Sequence, residues 1–261
     1  MNKGIAIAGA GALLMVAGAL SAWGRSFFRR ETPEKYFTGP HLEIARAIVR
    51  RDLDKVKSLC QGVEIDKPFK KNMTLMWFAM IKKNYEAVTL LARLGSDLDG
   101  QVAEGLGSPL DIAFNTPTTE YLRAMLDGGL SPNHTDPSHN NMMHRAVMDG
   151  TLDHIKLLLE RGADVDQPDS LHRTALSNAL AIVQADVALF LIERGADVNA
   201  TMTNGVTIAW SLQKRIERQE PGSPTAKKLE LVKQAMEQRG VKFPATPPAQ
   251  VRQERPTDTN E

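Results

Sequence analysis

Residues 157–166 read LLLERGADVD, and 33 positions later residues 190–199 read FLIERGADVN. A self-similarity of that length at a period between 20 and 50 residues is the signature of a stacked-repeat architecture. The period extends well beyond the two copies. Ala79, Ala113, Ala146 and Ala179 keep the same spacing to within one residue, and Leu212 continues the series. Five residues before each of these markers stands Thr74, Ser108, Asn141, Thr174 or Thr207. All five are good helix N-caps, because a side-chain oxygen there can accept from an orphan backbone amide. Pro109, directly after its cap, has the fixed φ that suits the first helical position. Sixteen residues after the markers stand Gly95, Gly129, Gly162 and Gly195, each closing an apolar run such as VTLLARLG or IKLLLERG. Glycine is the residue that closes a helix in the left-handed conformation.

Each unit therefore reads as a cap, a short helix, a turn, a second helix, a glycine stop and an extended polar stretch. The openings TLMWFA (74–79), SPLDIA (108–113), NMMHRA (141–146), TALSNA (174–179) and TIAWSL (207–212) resemble the T-P-L-H-x-A signature of the ankyrin repeat. The closings LGSDLD, GGLSPN, RGADVD and RGADVN fit it as well. The resemblance implies an all-α fold: an ankyrin-repeat solenoid of stacked helix-turn-helix units with hairpin loops, preceded by one N-terminal transmembrane or signal helix. The expected organisation is an anchor or signal over 1–30, a linker over 31–40 and a solenoid over 41–243. Within the solenoid a cap unit (41–66) precedes repeats at about 67–99, 100–133, 134–166, 167–199 and 200–243. The cap unit, IARAIVRRDLDKVKSLCQG over 44–62, has the helix pair without the usual opening. The last repeat carries an insertion, RQEPGSPTAKK (218–228), as terminal units of solenoids often depart from the rest. The tail PATPPAQVRQERPTDTNE (244–261) is rich in proline and charge and is expected to be disordered.

The bulk composition is that of a soluble globular chain: 261 residues, 42% apolar, 24% charged, net charge +1. So even a balance gives no general field for nucleic acid or acidic substrates. One cysteine, Cys60, excludes an internal disulfide framework and reads as a small core residue. The N-terminus stands apart. Gly4 to Gly24 carries no charge, and the nineteen residues Ile5–Trp23 are almost wholly apolar. As a helix they would span about 28 Å, close to a bilayer core. An uncleaved anchor and a cleavable signal both fit. The length favours the anchor, while small-residue sites at Ala17-Gly18-Ala19 and Ala19-Leu20-Ser21 keep cleavage open. The cations after the run, Arg25, Arg29, Arg30 and Lys35, favour a cytoplasmic domain; a signal-like N-terminus favours export. The glycines of AIAGAGALL (6–14) do not make a dinucleotide loop, since Leu14 holds the position of the third glycine and no βαβ unit follows.

Function in such a stack is expected at the hairpin tips and on the first helices, which leave the core undisturbed when they vary. The candidate protein-binding residues are Lys67, Phe69 and Lys70 on the first tip; His134, Asp136 and His139 on the third; and Asp169, His172 and Arg173 on the fourth. On the first helices they are Phe78, Ile112, Arg145 and Asn178, one position before each marker. Phe69 between lysines suits an interface anchor, an aromatic with a charged rim, unless it folds back onto its own hairpin. Trp77 and Trp210 hold the signature's histidine slot and read as core. His134, His139 and His144, with Asp136, contain metal-ligating types. The loop fixes no geometry for them, and no metal or cofactor is expected. Asp149, Asp153 and His154 have no activated nucleophile beside them, so no enzyme is expected.

The reading that follows is a non-enzymatic protein-binding module attached to a membrane through residues 5–23, without nucleic-acid or small-molecule substrates. A membrane-tethered or exported ankyrin module with a last repeat ending in RGVKFP is similar to bacterial ankyrin immunity proteins associated with secreted phospholipase effectors. That resemblance implies a partner that is a phospholipase, blocked by occlusion, and a periplasmic domain on the inner membrane. A general membrane-tethered scaffold for a resident complex is the alternative.

Overall fold

The computed structural model describes residues 31–100 and 107–254. The expected anchor over 1–30 lies outside them. Among the described residues no helix is long and apolar enough to cross a membrane. Contacts divide the chain into two compact units, Met1–Ser131 and Pro132–Glu261. The described residues of both are helical, with strand-like pairing confined to the single bridges Thr135–Asn141 and Thr201–Thr207.

The first unit holds three helix pairs: α1 (Gly39–Arg50) with α2 (Leu53–Leu59), α3 (Leu75–Ile81) with α4 (Tyr85–Arg93), and α5 (Pro109–Asn115) with α6 (Glu120–Asp127). Each first helix after the cap unit begins where the sequence places it. Thr74 accepts from the amide of Trp77, and Ser108 forms a reciprocal box with Asp111. The pairs then stack, α1 on α3 and α4 on α6. Ile48, Leu75, Phe78, Leu91, Leu122 and Met125 are sealed from water between them. Asn84 does two jobs at the start of α4. Its Oδ1 caps the helix by accepting from Ala87, and its Nδ2 donates 2.8 Å to the carbonyl of Ile48 in the neighbouring pair.

Residues 31–40 are not the linker that the sequence suggested. Phe37 is 1% exposed and packs edge-on against Phe78, with ring centroids 5.3 Å apart. Glu31, also buried, takes Lys35 and the Tyr36 hydroxyl. Two aromatics in five residues cover apolar surface that the first pair would otherwise expose.

The second unit stacks α7 (Met142–Met148) and α8 (Leu152–Glu160), α9 (Ala175–Ala181) and α10 (Ala185–Glu193), then α11 (Ile208–Ile216) and the longer α12 (Pro224–Gln238). Asn141, Thr174 and Thr207 cap as expected. The insertion supplies the turn and the Ser223 cap from which α12 starts. Gly162 and Gly195 close their helices at φ 86° and 96°. An added Cβ would meet nothing within 4 Å at either, so only the left-handed backbone requires glycine there.

The tail also differs from expectation. Pro248–Glu254 forms a helix, α13, rather than disordered chain. The Ala245 amide donates 2.7 Å to Gln213 on α11, and the Arg252 guanidinium donates 2.6 Å to the carbonyl of Asn204. Proline and charge do not preclude order where a neighbouring repeat presents acceptors.

Candidate protein-binding surface

The tips of the second unit share one construction. Residue one donates its amide to the carbonyl of residue five: Asp136 to Asn140 (3.0 Å), Asp169 to Arg173 (3.0 Å), Met202 to Val206 (2.9 Å). Residue four turns left-handed: His139 at φ 65°, His172 at 56° and Gly205 at 81°. Where residue one is aspartate, its carboxylate gathers the tip's own amides. Asp136 Oδ1 accepts from Ser138 and Asn140, and Asp169 Oδ1 from Leu171 and Arg173. These carboxylates also hold cations. Arg173 reaches Asp169 Oδ2 at 2.6 Å through Nη2, and Arg145 stands 3.6 Å from Asp136. The roots of the tips are laced together as well. Asn133 accepts from the Asp164 amide at 2.7 Å, and Asp166 from that of Asp197 at 2.9 Å.

A buried polar cluster lies beneath the fourth tip. His144 hydrogen-bonds Asn178 through Nε2 and stands 3.8 Å from Asp169. Its Nδ1 is buried without a hydrogen-bond partner. Burial lowers the His144 pKa below the ordinary histidine value, and Arg173 lowers it further against the opposing pull of Asp169 and Asn178. For Asp169, burial alone would raise the carboxyl; bonds from the Arg173 side chain and from the Arg173 and Leu171 amides outweigh it and hold it below the usual range.

This geometry separates the thirteen candidate residues. Lys67, Lys70, His139 and His172 are exposed, and Ile112, His134, Asp136, Asp169 and Arg173 are half-buried. Phe78, 0% exposed, is core and not surface. Arg145 (7%) and Asn178 (4%) are likewise buried, one beside Asp136 and the other on His144. Phe69 is half-buried, with its ring centroid 5.4 Å from Phe37 and 4.6 Å from His41. It folds back, onto the segment before α1 and the start of α1 itself. Trp77 is buried and Trp210 half-buried. His154 is spent on helix capping, its Nδ1 accepting from the Thr151 amide at 3.1 Å. Among the described residues no three His, Cys, Asp or Glu side chains group as a metal site requires.

The open apolar positions are others. In the second unit Met148 is 51% exposed, Leu171 51%, Ile182 39% and Leu231 51%; in the first, Val49 is 47% and Leu94 39% exposed. Met148 ends α7, Ile182 caps the end of α9, and Leu171 sits on the tip before α9. The sequence reading placed contact residues one step before the marker alanine. In α7 and α9, however, the residues before the end are enclosed by the partner helix and by neighbouring repeats, so only the last turn emerges. The open apolar positions lie two to three residues after the marker, at Met148 and Ile182.

Comparison with known proteins agrees with this architecture. Residues 110–202 match the family model described as ankyrin repeats, three copies. The ankyrin repeat domain of Bcl-3, a member of the IkappaB protein family, is similar at 26% identity and a TM-score of 0.54, over 73% of this chain and 85% of that one. An ankyrin repeat domain from Acinetobacter baumannii AYE shares the fold at 21% identity and a TM-score of 0.51, over 73% of this chain and 97% of that one. The ankyrin repeat protein EF0377 does so at 24% and 0.52, over 77% of this chain and 99% of that one. No curated protein matches the chain. The described fold is thus that of ankyrin repeats.

Proposed function

We propose that this protein acts without catalysis, by binding another protein through the last turns of α7 and α9 and the tip between them. The supporting observation is the exposure of Met148, Leu171 and Ile182 on repeats whose remaining large apolar side chains are mostly enclosed. Exposed apolar side chains rimmed by polar ones suit a protein partner. Asp149 beside Met148, and Ser170 and His172 beside Leu171, are exposed and supply that rim.

In the fuller reading, the apolar run 5–23 holds the module at a bacterial inner membrane with the repeats in the periplasm. The partner is a secreted lipase or phospholipase that the module occludes. The resemblance of the sequence to membrane-tethered ankyrin immunity proteins supports this. A reporter fused after residue 40 reads the side of the membrane. Co-expression with a toxic secreted phospholipase reads the function: growth should be rescued by the wild type and lost with Met148→Asp/Ile182→Asp. Equal rescue by that variant at equal abundance rejects the proposed surface.

A further inference from the structure

The first tip departs from the Asp136 and Asp169 tips in a respect that changes its charge. Phe69 donates its amide to the Met73 carbonyl at 2.9 Å, as residue one of the later tips donates to residue five. Residue one is here a phenylalanine, where Asp136 and Asp169 stand in the second unit. The tip accordingly has no carboxylate, while Lys67, Lys70 and Lys71 are all exposed. None of the three forms an ion pair with a described residue; Lys67 lies 5.8 Å over the Phe69 ring. The nearest carboxylate in sequence, Asp66, is already engaged by the Ser96 hydroxyl at 2.5 Å and the Asp97 amide at 2.9 Å. The backbone is unusual too. Lys71 and Asn72 are both left-handed, at φ 60° and 54°, whereas the later tips use one such residue each. Consecutive strained residues without glycine persist only where surroundings hold them, and here Phe37 and His41 brace the base through Phe69.

We infer that the 67–72 tip is a second contact point, which takes an acidic segment of a partner protein. Three exposed ammonium groups with no ion-pair partner among the described residues, on a braced turn, are complementary to a run of carboxylates, and such complementarity speeds and orients docking. This inference rests on the protein-binding reading above, and charge at this tip names the partner's chemistry. An anionic lipid surface is the competing occupant. It is less favoured because the phenyl ring that a membrane would take up is turned back onto Phe37.

The test uses the full chain in phosphatidylcholine nanodiscs and a fluorescein-labelled dodecapeptide of alternating Asp and Glu, read by anisotropy. Binding should be at least tenfold weaker for the Asn/Gln dodecapeptide and for Lys67→Glu/Lys70→Glu/Lys71→Glu, and retained by Lys67→Arg/Lys70→Arg/Lys71→Arg. If the triple Glu variant folds poorly, Lys70→Gln alone should still weaken binding several-fold. Unchanged binding by these variants overturns the inference. So does failure of the peptide to bind together with slowed amide exchange at 67–73 in phosphatidylglycerol discs, which assigns the tip to lipid. In either case capture of a partner that is lost on Met148→Asp/Ile182→Asp would leave the proposed function standing.

Discussion

Val183 and Gln184 form the turn between α9 and α10, and both are poor choices for their backbone. Val183 sits at φ 62°, where a β-branched side chain is strained. Gln184 is an N-cap that makes no side-chain cap bond, whereas Asn84 caps at the same point of its pair. Val183→Gly is expected to stabilise by about 1 kcal/mol, the usual cost of a left-handed L-residue. Gln184→Asp should add roughly another 1 kcal/mol through a cap bond. A urea titration of the single and double variants checks both values.

His144 makes a pH-dependent prediction at the same scale. Its folded pKa lies below the unfolded value, so below about pH 6.5 the unfolded chain binds a proton that the native state resists. Stability from this site is full above that pH and falls as the solution is acidified. The facing groups are Asp169 and Arg173 from the tip and Asn178 from α9. In His144→Asn the stability difference between pH 7.5 and pH 5.5 should shrink; an unchanged difference would assign the acid sensitivity elsewhere.

At the scale of the element, Asn84 is where one residue couples two helix pairs. Asn84→Ala removes the cap of α4 and leaves the buried Ile48 carbonyl unpaired. Together these should cost roughly 2–4 kcal/mol, measured by chemical denaturation. Gly162→Val should also destabilise, by more than the roughly 1–2 kcal/mol of left-handed strain expected for Gly162→Ala. Because a Cβ there would touch nothing, Gly162→Asn should be the best tolerated of the three. These elements were legible in the sequence for a simple reason. Caps at Thr74, Ser108, Asn141, Thr174 and Thr207 and stops at Gly95, Gly129, Gly162 and Gly195 are local choices repeated in phase. Which positions stay exposed was less legible. The exposure of Met148 and the enclosure of Arg145, three positions apart, follow from what packs around a short helix, which period alone does not specify. The burial of Tyr36 and Phe37 was missed because the fragment before α1 has no repeat to be compared with.

For the molecule as a whole, the tail matters to the end of the second unit. Gly205 is left-handed, and a Cβ there would stand 2.8 Å from the Pro248 carbonyl oxygen and 2.7 Å from Arg252 Cγ. The tip and α13 are therefore fitted to each other. Ending the chain at Phe243 should uncover Gln213 and the 202–206 tip. Hydrogen exchange should quicken at Ala245's acceptor helix, α11, and at Val206, while α7 and α8 keep their protection. Uniform loss across the second unit would mean that the tail is needed for its folding rather than for closing its end.

The seven-residue first helices have a consequence for how such a protein diversifies. On the proposed surface, recognition is written where α7 and α9 emerge, at Met148 with Asp149 and at Ala181 with Ile182. Those sites can drift toward a new binding target while the enclosed residues stay under constraint. A saturation library scored separately for abundance and for capture of a partner should place its permissive positions at these pairs and its intolerant ones one turn earlier.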